Sequence, residues 1–293
     1  MVRSVLIIVL LVFLYGGDTF SIVAVNPETF EVGSAGASCI GGSIIISDVH
    51  PGLGAIHTQS YWNASNQDNA HDLMAHGSSP DEIINWLQEN DAQGNAAIRQ
   101  YGIVDLNGGG RSAAFTGYDC MDYKNHITGT TYAIQGNILL GQEILDNIEA
   151  NFMNSYGSLA DRLMEALQGA NIPGADTRCL DEGVSSLSAF IRLAKPGDSD
   201  ESLFLNLNVN YLNNGMDPLD SLQVLYNTWI MEIFPPGDVN HEGQVNVLDL
   251  IFVVNLILEY FTPTQSQFLS ADIDQTGSID VVDLIIISAI ILS

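Results

Sequence analysis

The chain has 293 residues, 46% of them hydrophobic, which is enough to build a core and too much for a disordered polymer. Eight Lys and Arg stand against 35 Asp and Glu, a formal net charge of −27 that repels phosphate backbones, so no nucleic-acid partner is expected. Three cysteines (Cys39, Cys120, Cys179) without a CxxC or Cys/His cluster argue against structural zinc and a disulfide scaffold, and leave room for one bridge of unassigned pairing.

Arg3, the apolar run 5–14 and Tyr15-Gly16-Gly17 read as a signal peptide over residues 1–17. The run is well short of the roughly 20 apolar residues a spanning helix needs. The mature chain is therefore expected to lack a transmembrane segment and to be secreted, extracellular or associated with the cell envelope. No Ala-x-Ala marks the cut, so the cleavage point stays open between Gly16 and Asp18.

From there the predicted strands are 19–26, 31–39, 42–46, 54–60, 100–105, 111–117 and 132–135, rich in β-branched or small residues and punctuated by glycine. Ser79-Pro80-Asp81-Glu82 is a capping box with proline at the first helical position, and it opens a helix. Helices over 141–154 and 158–168 follow from Ile144, Leu145, Ile148 and Phe152, and from Leu159, Leu163, Met164 and Leu167. Strands 186–193 and 203–209 and a helix from 217 to about 231 complete a body of mixed strands and helices, an α+β class. Pro235-Pro236-Gly237 ends it, dividing the chain into domains 19–234 and 237–293.

The tail repeats itself at an offset of 34 residues, with Asp238 on Asp272, Asn240 on Asp274, Glu242 on Thr276, Gly243 on Gly277 and Asp249 on Asp283. Calcium wants six to eight oxygens, which a twelve-residue loop supplies from alternate positions. The candidate ligands are Asp238, Asn240, Glu242, Gln244, Asn246 and Asp249 in one loop, and Asp272, Asp274, Thr276, Ser278, Asp280 and Asp283 in the other. Gln244 and Ser278 would offer backbone carbonyls. Two structural Ca²⁺ ions are expected, since the loop carboxylates would otherwise repel one another.

Aspartate at position 12, the loop-then-helix duplication and the missing helix before Asp238 resemble dockerin domains. The resemblance implies a small all-α calcium-binding module and a cohesin-like partner on another protein. Val247-Leu248 and Val281-Val282, at positions 10 and 11, would then be an apolar docking face or part of the core.

The main domain resembles the family named domain of unknown function 1028, on Thr19-Phe20-Ser21-Ile22-Val23-Ala24, Ala37-Ser38-Cys39, Pro51-Gly52-Leu53-Gly54-Ala55, Gln135-Gly136-Asn137-Ile138-Leu139 and Asp176-Thr177-Arg178. The resemblance implies a layered α/β/β/α fold of the N-terminal-nucleophile (Ntn) hydrolase type. In such enzymes the first residue of the mature chain attacks an amide carbonyl, with its own α-amine as base. Thr19 occupies that position, although a cut after Gly16 or Gly17 would leave it without a free amine.

Other candidates are Cys39 as a thiol nucleophile or buried cysteine, and His57 with Gln59 as pocket-lining or core residues. Gly136-Asn137 read as oxyanion donors or a turn, and Asp176 with Arg178 as a substrate clamp or an internal pair. His71 and His76 miss the i, i+4 spacing of a metal pair. Three functions stay in view: a secreted amide hydrolase carried by a dockerin module, a non-catalytic extracellular assembly protein, and a part in polysaccharide breakdown suggested only by dockerin company.

Overall fold

The computed structural model describes residues 19–213 and 215–293; the expected signal peptide, residues 1–17, lies outside them. The chain opens with strands β1 (Phe20–Asn26), β2 (Glu31–Ser38), β3 (Ser47–His50) and β4 (Gly54–Ser60), then helices α1 (Ala64–Ala75) and α2 (Pro80–Glu89). Strands β5 (Arg99–Asp105), β6 (Arg111–Thr116), β7 (Asn125–Gly129) and β8 (Tyr132–Gly136) follow, then α3 (Gln142–Asn154) and α4 (Leu159–Gly169). Strands β9 (Ser188–Ala194) and β10 (Leu205–Val209) precede α5 (Pro218–Ile233).

The strands form two antiparallel sheets, one of six in the order β10-β9-β2-β1-β8-β7 and one of four in the order β3-β4-β5-β6. The pleat decides which way each residue faces. In β1, Phe20, Ile22 and Ala24 point to the core shared with α3, α4 and α5. Val23 and Val25 point the other way, between the sheets, against Val32, Val49, Ala55 and Val104. On the outer face of the smaller sheet, Ile56, Tyr101 and Ile103 pack on Ala70 and Met74 of α1 and Ile83, Ile84 and Leu87 of α2. The result is the expected α/β/β/α layering.

Local chemistry explains the helix starts. Ser79 and Glu82 form the expected capping box, and Ser158 with Asp161 forms another at the head of α4. The strand expected over 42–46 is instead a single 3₁₀ turn, Ser43–Ile46, entered through Gly42 at φ 79°, and the strand begins only at Ser47. Ile44-Ile45-Ile46 has strand-like composition, but the left-handed glycine breaks the extended run before it. Helix α1 and strand β7 were not expected.

Beyond Phe234 the chain passes through Pro235-Pro236-Gly237 into α6 (Val247–Ile257), α7 (Gln265–Ala271) and α8 (Val281–Leu292). These helices enclose a small core of Val239, Val253, Leu256, Ala271 and Ile287. Among the described residues no helix is long and apolar enough to cross a membrane.

Candidate functional site

The two tail loops have the same internal wiring. Asp238 Oδ1 and Oδ2 accept from the backbone N–H of Glu242 at 3.1 Å and Gly243 at 2.7 Å; Asp272 accepts from Thr276 at 3.0 Å and Gly277 at 2.9 Å. Asn240 Oδ1 and Asp274 Oδ1 each accept from the same residue as their neighbour, at 3.1 and 3.2 Å. The buried Asp249 accepts from Val239, Asn240 and Asn246; the buried Asp283 accepts from Ile273, Asp274 and Asp280. Gly243 and Gly277 turn the chain at φ 99° and 84°. Each loop thus closes on itself by amide donors that orient carboxylate oxygens toward one centre.

The donor set fits a hard divalent cation. Asp272, Asp274 and Asp283 each place a carboxylate oxygen within 4.8 Å of the others. In the first loop burial and the charge of Asp249 push the Asp238 carboxyl above its ordinary range, a like-charge cost that a bound cation offsets. Glu242 Oε1 accepts from the side-chain amide of Asn246, another candidate ligand of the same loop. Thr276 is exposed and its hydroxyl donates toward Ser278 at 3.4 Å. Gln244 and Ser278 sit at the seventh positions, and Asn246 and Asp280 cap α6 and α8 through Leu248 and Val282 at 2.7 and 2.6 Å.

The apolar pairs at positions 10 and 11 are surface rather than core. Val247, Leu248, Val281 and Val282 are 58%, 54%, 57% and 49% exposed, continuing into Ile251 and Ile285 on the same helices. An exposed aliphatic face of this kind marks an interaction surface.

A second polar feature lies between the two sheets. Gln135 Nε2 donates to Ser21 Oγ at 2.6 Å and lies 3.1 Å from His57 Nδ1; Ser21 Oγ donates to Gln59 Oε1 at 2.6 Å. Gln59 Nε2 donates to Gln100 Oε1 at 2.8 Å, and Gln100 Nε2 to the Gly136 carbonyl at 2.8 Å. With Nδ1 accepting, His57 Nε2 donates to Ser34 Oγ at 2.6 Å. Complete burial, with the charge of Arg192 adding to it, lowers the His57 pKa to about 3, so the ring is neutral. A Cβ at Gly102 would sit 1.8 Å from Gln135 Oε1, so this glycine makes room for the network.

Thr19 sits at one end of this layer. It has the same parity as Ser21, it is fully buried, and among the described residues its Oγ1 has no hydrogen-bond partner. Its carbonyl accepts from the Asn137 N–H at 3.1 Å and from Gln59 Nε2 at 3.4 Å. The Asn137 N–H is therefore engaged in holding Thr19 and is not an oxyanion donor.

The remaining candidates resolve into structural roles. Cys39 is bonded to Cys179 with Cα atoms 5.7 Å apart, which removes it as a nucleophile, and the buried Cys120 donates to the Arg99 carbonyl at 3.3 Å. Asp176 and Arg178 pair with each other, two guanidinium nitrogens donating at 3.0 and 2.6 Å, while Asp176 also accepts from the Cys39 N–H at 3.0 Å. His76 is tied to the Asp72 carbonyl of its own helix at 2.6 Å. His57 and Gln59 share a face, and both serve the buried network.

The tail is seated on the main domain through a buried knot. His241 Nδ1 lies 2.9 Å from Asp161 Oδ2, and Asp161 Oδ1 accepts from Tyr226 at 2.9 Å and Ser266 at 2.7 Å. Burial works against the His241 imidazolium, but the Asp161 charge outweighs it and the pKa is raised. Sequence reading missed this knot, because position 4 of a calcium loop is not a ligand position.

Comparison with known proteins agrees with these features. The model of the family of unknown function (DUF1028) matches residues 19–222, and that of the dockerin type I domain matches residues 236–292. A crystal structure of a Silicibacter pomeroyi protein assigned to DUF1028 superposes with a TM-score of 0.59 at 25% identity, covering 72% of this chain and 88% of that one. No curated protein matches the chain. Dockerin type I domains bind calcium and engage cohesins, and they occur in extracellular or cell-surface assemblies. With the first match spanning more than half its length, the chain belongs to the family of unknown function DUF1028, and it carries a dockerin type I domain over residues 236–292.

Proposed function

We propose that this chain is an exported protein, with domains over 19–234 and 237–293, that joins an extracellular assembly through its calcium-loaded tail. One Ca²⁺ is held by Asp238, Asn240, Glu242, Asn246 and Asp249 with the Gln244 carbonyl. The other is held by Asp272, Asp274, Thr276, Asp280 and Asp283 with the Ser278 carbonyl. The occupied loops fix α6 and α8, which present Val247, Leu248, Val281 and Val282 to a cohesin-like module on another protein. The observation that carries this reading is the matched amide wiring of the two loops beside exposed aliphatic pairs at identical loop positions. Capture of a cohesin-bearing protein from the native envelope fraction with calcium present, and its release by EDTA, tests it. Capture that is indifferent to EDTA overturns it.

For the main domain we infer an Ntn-type amide hydrolase acting through Thr19, supported by the buried Thr19 Oγ1 at the head of β1 in the inter-sheet layer, which has no hydrogen-bond partner among the described residues. In this reading the Thr19 α-amine takes the hydroxyl proton as Oγ1 adds to the amide carbon, then delivers it to the departing amine. The reaction requires a mature chain beginning at Thr19. N-terminal sequencing of the secreted protein decides between this reading and a non-catalytic assembly protein. A chain beginning at Gly17 or Asp18 removes the base and leaves the assembly role, with any link to polysaccharide breakdown resting on the partner.

A further inference from the structure

On the outer face of the four-stranded sheet, away from both features above, three metal-ligating side chains meet. Asp48 and His50 stand two apart on the edge strand β3, so the pleat sends both side chains the same way, toward α1. Helix α1 brings His71 to the same point. His50 Nε2 lies 2.9 Å from Asp48 Oδ2, and His71 Nδ1 lies 3.0 Å from the same oxygen. The two imidazole rings are 4.2 Å apart between centroids.

We propose that Asp48, His50 and His71 form a site for a divalent transition metal of the zinc class. Two imidazoles and a carboxylate are the donors such ions prefer, in contrast to the oxygen-only loops of the tail. Tetrahedral ligands about 2.0–2.1 Å from zinc lie about 3.4 Å from one another. The nitrogens and oxygen here therefore need to separate by only about half an ångström to admit the ion. His50 is buried and held by the strand, whereas the His71 and Asp48 side chains are 40% and 21% exposed, leaving an approach from solvent and a fourth position for water. Arg192 interacts with Asp48 from the inter-sheet side and reduces the pull on a cation, while its Nη1 donates to the Ser47 carbonyl at 2.9 Å rather than to the three ligands. The bound ion clamps the edge strand to α1, a segment whose packing rests on few apolar side chains.

The test uses the full chain, stripped with EDTA and then saturated with Ca²⁺ so that the tail loops are filled. Calorimetric titration with Zn²⁺ is expected to show one more bound ion in the wild type than in His71→Ala or Asp48→Asn, with affinity at the site falling at least about tenfold in each variant. Co²⁺ is expected to give the wild type the strong visible absorption of a four-coordinate nitrogen-oxygen site, absent from both variants. Equal zinc stoichiometry in wild type and variants overturns the proposal. So does a wild-type cobalt spectrum with only the weak bands of six-coordinate oxygen sites, an outcome that needs no variant to fold.

Discussion

His241 Nδ1 lies 2.9 Å from Asp161 Oδ2, with both side chains fully buried, so a residue of the first calcium loop is the main ionic link to the α4 capping box. His241 is held at φ 56° between Asn240 and Glu242, and its other ring nitrogen lies 2.9 Å from Ser270 Oγ. Filling the loop and seating the module are therefore parts of one arrangement, and the tail is not a freely swinging tether.

Removing one partner of this pair strands the other in a dry site. His241→Ala leaves Asp161 facing Tyr226 and Ser266 without its cation, and a loss of about 3–5 kcal/mol is expected. Chemical denaturation checks this. The double variant His241→Leu with Asp161→Leu removes both charges and is expected to lose less than the single change, because no buried charge remains uncompensated.

How far this arrangement could be read from the sequence depends on how local its parts are. The calcium loops were legible because a twelve-residue loop carries its ligands at fixed offsets, and the capping box Ser79–Glu82 was legible for the same reason. The strand at 19–26 was legible from its run of β-branched and small residues, but its burial on two faces was not. The inter-sheet network was not legible, since Ser21, Gln59, Gln100 and Gln135 come from four strands whose register no local spacing announces. Helix α1 was missed because it buries only Asn66, Ala70 and Met74, and Asn66 is held by Asp91 and Tyr101 rather than by apolar packing. Asp48 and His50 were missed because the strand carrying them begins five residues later than the composition suggests.

His57 should make the protein acid-sensitive. Its pKa is about 3 folded and 6.5 unfolded, because burial opposes the charge and Arg192 adds to it. The unfolded chain therefore binds this proton first, and stability present above pH 6.5 is lost as pH falls through the interval toward 3. The slope is about 1.4 kcal/mol per pH unit from this residue. Burial also lowers His126, which acts in the same direction, while the lowered carboxyls Asp48 and Asp161 act toward the acid end, so the share of His57 is read from urea midpoints of wild type and variant compared between pH 6.5 and 4. His57→Gln is expected to flatten that part of the profile.

The Cys39–Cys179 bridge spans 140 residues and ties the end of β2 to the Asp176–Arg178 turn. Closing a loop of that length restricts the unfolded chain by about 5 kcal/mol on chain-entropy grounds. Reduction, or Cys39→Ala with Cys179→Ala, is expected to lower stability by about 2–5 kcal/mol. Thiol titration of the denatured, unreduced protein should find Cys120 alone; three reactive thiols would show that the bridge does not form.

Calcium removal should act on the tail first. Asp249 and Asp283 hold the backbone of their own loops through three amide bonds each, so the loops keep partial order without the ion, but their clustered carboxylates then oppose closure. An ion at a hundred times its dissociation constant adds about 2.7 kcal/mol to the state that binds it. EDTA is therefore expected to lower the melting temperature, and excess Ca²⁺ to restore it. Asp283→Ala should weaken the second loop alone, whereas Asp249→Ala should also loosen the His241–Asp161 seat, because the first loop is the one that carries it. Calorimetric scans of the two variants with and without calcium separate these outcomes: an equal loss in both would mean that loop filling and module seating are independent.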